Sequence, residues 1–370
     1  MRIGIMLRSI DEKGGIGVYT RYLVEELLDL DRDNHYVLFY RNHTNVGRFS
    51  DHKNVTERLI KAPNKALWDQ VGIPYACWQE KLDVLLHPKF TVPLFAPCRT
   101  VMVLHGAGWF KKEAKHFWNP VDLFYIRLLM PLYCRKAASI LSVSELTTDT
   151  FNRVFDLTKG KIKTVYFGPG RHFEPVKDKA RLQEIREKYH LPEKFILTLS
   201  GYDRGDRKNI RGILNAYKQY YGKTPHKLVI GGKDCHRFKQ DYHIPDTGYG
   251  KEILFTDWIE QEDLPSIYSM SDVFLYPSKH EAFPIPITEA MTCGTAIITS
   301  DANGLREIAG DAALFVNPDD HDEIARAISQ VLSDNELRKC LSEKSLERAQ
   351  YFSWSKCART ILEVLQGSVH

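Results

Sequence analysis

The sequence predicts two doubly wound parallel α/β domains in tandem. Three observations carry this. Short apolar or β-branched runs alternate with helical patterns through the first half. The same alternation restarts after a glycine- and proline-rich loop, Phe167-Gly168-Pro169-Gly170 to Glu174-Pro175. The length, 370 residues, exceeds one ordinary core and suits two. The expected domains are 1–170 and 171–354, with a last helix at about 355–370 packing back on the first.

The elements follow in order. Residues 2–7 read as a strand, and 16–30 as a helix with Val18, Tyr22, Leu23, Leu27 and Leu30 on its apolar side. Tyr36–Tyr40, Val84–Leu86, Thr100–Leu104 and Ser139–Val143 read as strands, and Glu145–Phe155 as a helix. After the linker come a strand at Phe195–Leu199, a basic loop and a helix from Ile210 to about Tyr221. Lys227–Gly232, Ile253–Phe255, Val273–Tyr276 and Ala296–Ile298 complete the strands, each separated by a helical segment. The last helices run from about His321 to the end, with Phe352-Ser353-Trp354 as an aromatic anchor at a break.

A net charge of +4 permits an anionic ligand or membrane surface without demanding nucleic acid, and none is expected as a partner. Seven scattered cysteines without a C-x-x-C pair speak against structural zinc and a disulfide framework, and for a reducing cytosol. Arg2–Leu7 reads as a first strand and not as a signal peptide. The most apolar segment, 121–134, is broken by Asp122, Arg127 and Pro131 and is too polar to span a bilayer. Trp109 to Trp118 mixes aromatics with Lys111, Lys112, Lys115 and His116, which fits either a membrane surface or a loop packed on its own domain.

Four places carry candidate chemistry. Glu281 and Glu289 lie eight positions apart, separated by an apolar loop whose Pro284 and Pro286 forbid regular helix over its first half. The simplest geometry is Glu281 on a loop and Glu289 in the first turns of a helix, whose N-terminus suits an anion. Arg204, Arg207, Lys208 and Arg211 cluster between a strand end and a helix, where cations oppose the helix dipole and are better explained by a bound pyrophosphate. Lys13-Gly14-Gly15-Ile16-Gly17 joins the first strand to the first helix and lets backbone approach a ligand, or simply makes a tight turn. It is neither a dinucleotide fingerprint nor a Walker loop. His105 ends a strand before Gly106-Ala107-Gly108. Asp31-x-Asp33 and Asp320-x-Asp322 read as helix-end or capping groups, so no metal site is expected.

Together, Gly14-Gly15, the His105 strand end, Ser142-Val143-Ser144-Glu145, Arg207-Lys208-Asn209, Leu264–Pro277, Glu281-x7-Glu289, Met291-x-Cys293-Gly294 and Gly310–Leu314 resemble a GT-B glycosyltransferase of family 4 over nearly the whole chain. The resemblance implies two Rossmann-like domains facing a cleft and a retaining, metal-independent transfer from a nucleotide sugar to a glycan or lipid-linked acceptor, without a cofactor. It implies that Glu289 holds the ribose, Glu281 and the backbone of Ala282, Phe283, Pro284 and Ile285 meet the sugar, and Arg207 and Lys208 neutralise the diphosphate. It also implies that Gly15 lies near the diphosphate, that the main chain at Ile259 meets the base, and that His105 approaches the transferred sugar. The segment Gly310–Leu314 and the general spacing resemble polysaccharide-assembly mannosyltransferases. GDP-mannose is therefore the expected donor, with UDP-sugars open, and the expected location is cytoplasmic, peripheral on the membrane face. Two departures stand out. The commonest family form has glycine at 282 and 284, and an acidic residue often follows the histidine where this chain has Gly106. A nucleotide-sugar epimerase of the same architecture and a non-catalytic nucleotide-sugar-binding module are the alternatives.

Overall fold

Each sheet is all-parallel and doubly wound. A computed structural model describes residues 1–12, 14–110, 120–203, 205–302 and 304–369. The chain divides into two compact units, Met1–Phe167 with Ser353–His370, and Gly168–Phe352.

The first unit holds β1 (Arg2–Met6), β2 (His35–Tyr40), β3 (Val55–Leu59), β4 (Val84–His87), β5 (Arg99–Leu104), β6 (Ser139–Ser142) and β7 (Ile162–Thr164) in the order β3-β2-β1-β4-β5-β6-β7. Apart from the first residues His35 and Arg99, its strands β2, β4 and β5 are buried throughout, the mark of a parallel sheet covered on both faces. Gly17 shows why the turn after β1 is glycine-rich. A Cβ there would sit 1.8 Å from the Glu12 carbonyl oxygen, so only glycine lets the loop fold over the start of the helix Gly15–Leu30.

The helix Trp354–Val369 belongs to this unit. Trp354 packs against Tyr19, Tyr22 and Phe167 at ring-centroid distances of 5.3, 5.6 and 4.9 Å. Ser368 Oγ lies 3.0 Å from Ser139 Oγ at the start of β6.

The second unit holds β8 (Phe195–Leu199), β9 (Lys227–Gly231), β10 (Ile253–Asp257), β11 (Val273–Tyr276), β12 (Ile297–Ser300) and β13 (Ala313–Val316) in the order β10-β9-β8-β11-β12-β13. Strand order therefore reverses between β8 and β11, which leaves a crevice at their carboxyl ends. The loops carrying Arg207 and Glu281 leave from these two strands. Below them, Ile196, Leu228, Ile230, Val273, Leu275 and Ile298 pack with the amphipathic helix Ile210–Tyr220 into one buried core.

Three strands were absent from the sequence reading. β3 and β7 are edge strands, half exposed, so neither shows a buried apolar run. β13 overlaps the end of Gly310–Leu314, a segment that enters the sequence analysis only through the family resemblance.

Candidate functional site

Glu281 is held by one of its two oxygens. Tyr276, the last residue of β11, donates its hydroxyl to Oε1 at 2.8 Å, and Ser278 Oγ lies 3.3 Å from the same atom. Arg207 forms an ion pair with that oxygen and also donates Nη1 to the His280 carbonyl at 3.0 Å. Oε2 has no hydrogen-bond partner among the described residues. Tyr276 and Arg207 on one oxygen orient the carboxylate and leave the other oxygen open.

The β8 and β11 loops are laced together. Lys279 N and Ser278 Oγ both donate to the Arg207 carbonyl, at 2.9 and 3.0 Å. Asn209 adopts the left-handed conformation (φ 60°) and ties the loop to the Pro318 carbonyl through Nδ2. Lys208 turns under this bridge. Its Nζ donates to the Leu199 carbonyl at 3.2 Å and sits 5.3 Å from the centroid of the Tyr276 ring. Desolvation lowers its pKa, and the carboxylates of Glu281 and Glu289 oppose that shift while the Arg207 charge adds to it. Arg207 itself has a raised pKa: burial pulls it down, but Glu281 outweighs it.

Glu289 is the fifth residue of the helix Ile285–Thr292 and is buried. Tyr268 donates its hydroxyl to Oε2 at 3.0 Å, and Oε1 takes no hydrogen bond from the described residues. Burial pushes the Glu289 pKa up to about 7, against the pull of Tyr268 and Lys208.

The loop between the carboxylates is poor in donors. Pro284 precedes the helix as its N-cap residue and Pro286 is its second residue, so of residues 284–286 only Ile285 carries an amide. The Ile287 amide is spent on the Pro284 carbonyl at 3.0 Å. The anion-binding helix terminus expected here is thus reduced to few donors, and the charge work falls to side chains. Phe283 packs edge-on to Phe352 at 5.9 Å, and Ala282 presents its carbonyl to Gly304, whose φ of 88° suits glycine.

The basic cluster also contracts. Arg211 stacks over the Tyr242 ring at 5.6 Å, on the helix rather than in the loop, and so leaves the group. Arg204 lies outside the described residues, as does Lys13 of the N-terminal glycine loop. Ile259 follows β10 with its side chain buried towards Gly231, where a Cβ would meet it at 2.5 Å; its main chain stays at the strand-end edge.

In the first unit Gly15 opens its helix, exposed, after Gly14. First-turn amides of a helix lack intrahelical acceptors and can face an anion. His105 follows β5, edge-on to Tyr19 at 4.7 Å, with Nε2 at 2.9 Å from the Pro88 carbonyl. A carbonyl only accepts, so Nε2 carries the proton and Nδ1 is left as an acceptor. Desolvation lowers the pKa of this imidazole to about 4, so it is neutral near pH 7.

Of the aromatic stretch from Trp109 to Trp118, residues 111–118 lie outside the described residues. Trp109 and Phe110 pack inward, Trp109 against Phe90 at 4.5 Å and Phe110 against Phe151 and Phe155 at 5.5 and 5.2 Å. Asp31 and Asp320 are structural acceptors: Asp31 takes Tyr36 and Asn34, and Asp320 caps the helix His321–Ser333 through Glu323 N. No described helix is long and apolar enough to cross a membrane.

Residues 181–348 match the family model described as "Glycosyl transferases group 1". The O-antigen chain mannosyltransferase B of Escherichia coli is 31% identical over 281 residues, spanning 74% of this chain and 72% of that protein. The chain belongs to the group 1 glycosyltransferases. The serotype-specific mannosyltransferase WbdA of Escherichia coli is 26% identical over 72% of this chain, which spans 33% of that longer protein. Among solved structures, Anabaena HepE in complex with UDP-glucose superposes with a TM-score of 0.76 at 16% identity, covering 99% of this chain and 100% of that one. The two doubly wound sheets are those of the GT-B fold, and this glycosyltransferase carries its matched segment on the second unit.

Sequence reasoning missed Tyr276, Ser278 and Tyr268, the side chains that aim the two carboxylates. Tyr276 and Ser278 flank Pro277 just before Glu281, a signal that could have been used. Tyr268 lies 21 residues from Glu289 and meets it only through packing of the helix Leu264–Met270.

Proposed function

We propose that this glycosyltransferase moves a hexose, mannose, from a nucleoside-diphosphate sugar to a glycan or lipid-linked acceptor, with retention at the anomeric carbon and without a metal. The observation that carries it is the pair of carboxylates, each pinned by one oxygen and open at the other, with Lys208 electrostatically coupled to both. Glu289 Oε1 suits a ribose diol and Glu281 Oε2 the sugar hydroxyls. Lys208 and Arg207 suit the diphosphate, and the backbone at Ile259 the base. Gly15 and His105 would act from the first unit, His105 Nδ1 accepting a sugar hydroxyl. The naming of relatives as O-antigen mannosyltransferases supports mannose and a glycan-assembly role, and the UDP-glucose complex of a structural neighbour supports a nucleotide-sugar ligand.

In the reaction the bond from the anomeric carbon to phosphate oxygen breaks, and the electron pair stays with the diphosphate. The acceptor hydroxyl oxygen bonds to the anomeric carbon and its proton passes to the leaving phosphate. Charge builds on the diphosphate, where two fixed cations do the stabilising that a metal supplies elsewhere.

The test is a donor screen followed by product analysis. GDP-mannose should raise the melting temperature more than other GDP-, UDP- or ADP-sugars, since a ligand at ~100 times its Kd adds about 2.7 kcal/mol. NMR of the product should show the donor's anomeric configuration, and transfer should persist in excess EDTA. An inverted product, or activity restored only by a divalent cation, rejects the mechanism. An epimerised donor formed without acceptor rejects the transferase reading.

A further inference from the structure

The seven cysteines are scattered along the sequence, and the fold brings Cys77 and Cys98 together in the first unit. Backbone geometry does this. The helix Ile73–Gln79 ends in a left-handed turn at Lys81, whose φ is 51°. The Lys81 amide donates to the Trp78 carbonyl and the Leu82 amide to the Cys77 carbonyl, both at 3.2 Å. These two bonds fold the chain back over Cys77 as it enters β4. β5 starts alongside: Val84 is in register with Arg99, and the Arg99 amide donates to the Asp83 carbonyl at 3.3 Å. Cys98, the residue before Arg99, therefore lies next to the helix end. Its side chain shares a hydrogen bond with that of Cys77. Cys77 is buried in the core around Phe39 and Trp68, and Cys98 is half-buried against the same core.

The surroundings separate this pair from other thiols. Burial pushes Cys134, Cys235 and Cys357 up to about 12, so these stay protonated and unreactive. In the pair the shifts are opposed. The Cys77 S–H stabilises a thiolate at Cys98, and the Lys136 charge adds to this against burial and Asp83, so the Cys98 pKa is lowered. That same hydrogen bond, with burial, raises Cys77. Lys136 is held in place by its Nζ, which donates to the Ala96 carbonyl at 2.9 Å, two residues before Cys98. Access comes from one side. Cys77 lines a cavity of about 540 Å³ with Trp78, Gln79, Lys81, Leu82 and Pro97, the neighbour of Cys98. Lys81 and Lys136 suit an oxidant that carries carboxylates.

We propose that Cys77 and Cys98 are a redox-active dithiol, a site of thiol–disulfide exchange with an anionic low-molecular-weight disulfide. The Cys98 thiolate attacks one sulfur of that disulfide, whose S–S bond breaks and whose other half leaves as a thiol. Cys77 then gives up its proton and attacks the Cys98 sulfur, expelling the second thiol. Two electrons pass to the oxidant, and the two cysteine protons end on the two thiols released. The product is a disulfide that ties the end of the helix Ile73–Gln79 to the start of β5. It lies at the amino ends of β4 and β5, whereas His105 follows the carboxyl end of β5, so the inference does not rest on the transfer reaction.

The test uses glutathione disulfide as the oxidant on the reduced full chain, followed by alkylation of the remaining thiols and peptide mass spectrometry. Cys340 is exposed and reports that the oxidant is active. The peptides of Cys77 and Cys98 should be recovered joined, with the loss of these two thiols reversed by dithiothreitol. Cys77→Ala removes the resolving thiol and should leave one glutathione bound at Cys98. Cys98→Ala should leave Cys77 a free thiol. Thermal stabilisation by nucleotide sugar checks that each variant is folded, and if one is not, the wild-type peptide map decides alone. Cys77 and Cys98 that both stay alkylatable while Cys340 is fully modified overturn the proposal. So does a folded Cys77→Ala variant whose Cys98 takes no glutathione, which would make the pair two packed core thiols.

Discussion

Glu281 and Glu289 look alike in sequence and differ in setting. Glu281 has Arg207 as a counter-ion, whereas Glu289 is buried with a neutral phenol. Glu281→Gln should therefore leave nucleoside-diphosphate binding intact or tighter, since Arg207 is released to the diphosphate, and should lower kcat. Glu289→Gln should weaken both the free nucleoside diphosphate and the nucleotide sugar by about 1.5–3 kcal/mol. Calorimetry with both ligands on both variants checks this; equal losses for the bare diphosphate would refute it. Lys208→Ala should cost on the order of 3 kcal/mol or more in kcat/KM with the fold intact, and activity within about threefold of wild type excludes the diphosphate role. The Glu289 pKa also makes a stability statement. It lies above its unfolded value of 4.5, at about 7, so the folded state favours the neutral acid. That contribution is fully present below about pH 4.5 and is lost as pH rises through about 7. The unfolding free energy of wild type relative to Glu289→Gln should fall by roughly 3 kcal/mol between pH 4.5 and 8. A flat difference across urea titrations at these pH values would show that the carboxyl titrates normally.

At the scale of elements, the site is made by strand ends at the point where strand order reverses. The β8 loop is held from two sides, by the β11 loop through the Arg207 carbonyl and by the turn after β9, whose Gly231 and Lys233 carbonyls accept from Ser200 N and Tyr202 N at 2.7 and 2.8 Å. Gly232 has φ 139°, and a Cβ there would lie 2.5 Å from Gly201 N and from the Ser200 carbonyl carbon. Gly232→Ala should therefore displace the loop that carries Arg207 and Lys208, costing ~1–3 kcal/mol of stability and weakening the donor. A variant with unchanged unfolding midpoint and donor affinity would show the loop to be compliant. The double proline at 284 and 286 explains why this loop leans on side-chain cations and why the loss of Lys208 should be so costly.

For the whole molecule, the last helix ties the end of the chain to its beginning. Trp354 fills a place among Tyr19, Tyr22 and Phe167 in the first unit. Trp354→Ala should remove about 3–5 kcal/mol from that unit. It should also leave unfolding of the second unit and its binding of nucleoside diphosphate almost unchanged, as hydrogen exchange resolved by segment can read. Protection lost equally in both units would mean that they unfold as one.

The sequence by itself determined the two doubly wound sheets and the residue types of the site, because strands buried on both faces are continuous apolar runs and because prolines, paired glutamates and an Arg-Lys step are local patterns. It did not show β3 and β7, whose edge positions leave no buried run. It did not show that Arg211 leaves the basic cluster, since Arg211, three positions beyond Lys208, is the second residue of a helix and stacks on Tyr242. Tertiary structure alone decided which oxygen of each glutamate is free, that Arg207 begins as the counter-ion of Glu281, and that Glu289 holds its proton to about pH 7. These depend on residues from different elements converging, Tyr268 and Tyr276 above all, and on how much water the packing excludes. Both are long-range properties that no spacing along the chain encodes.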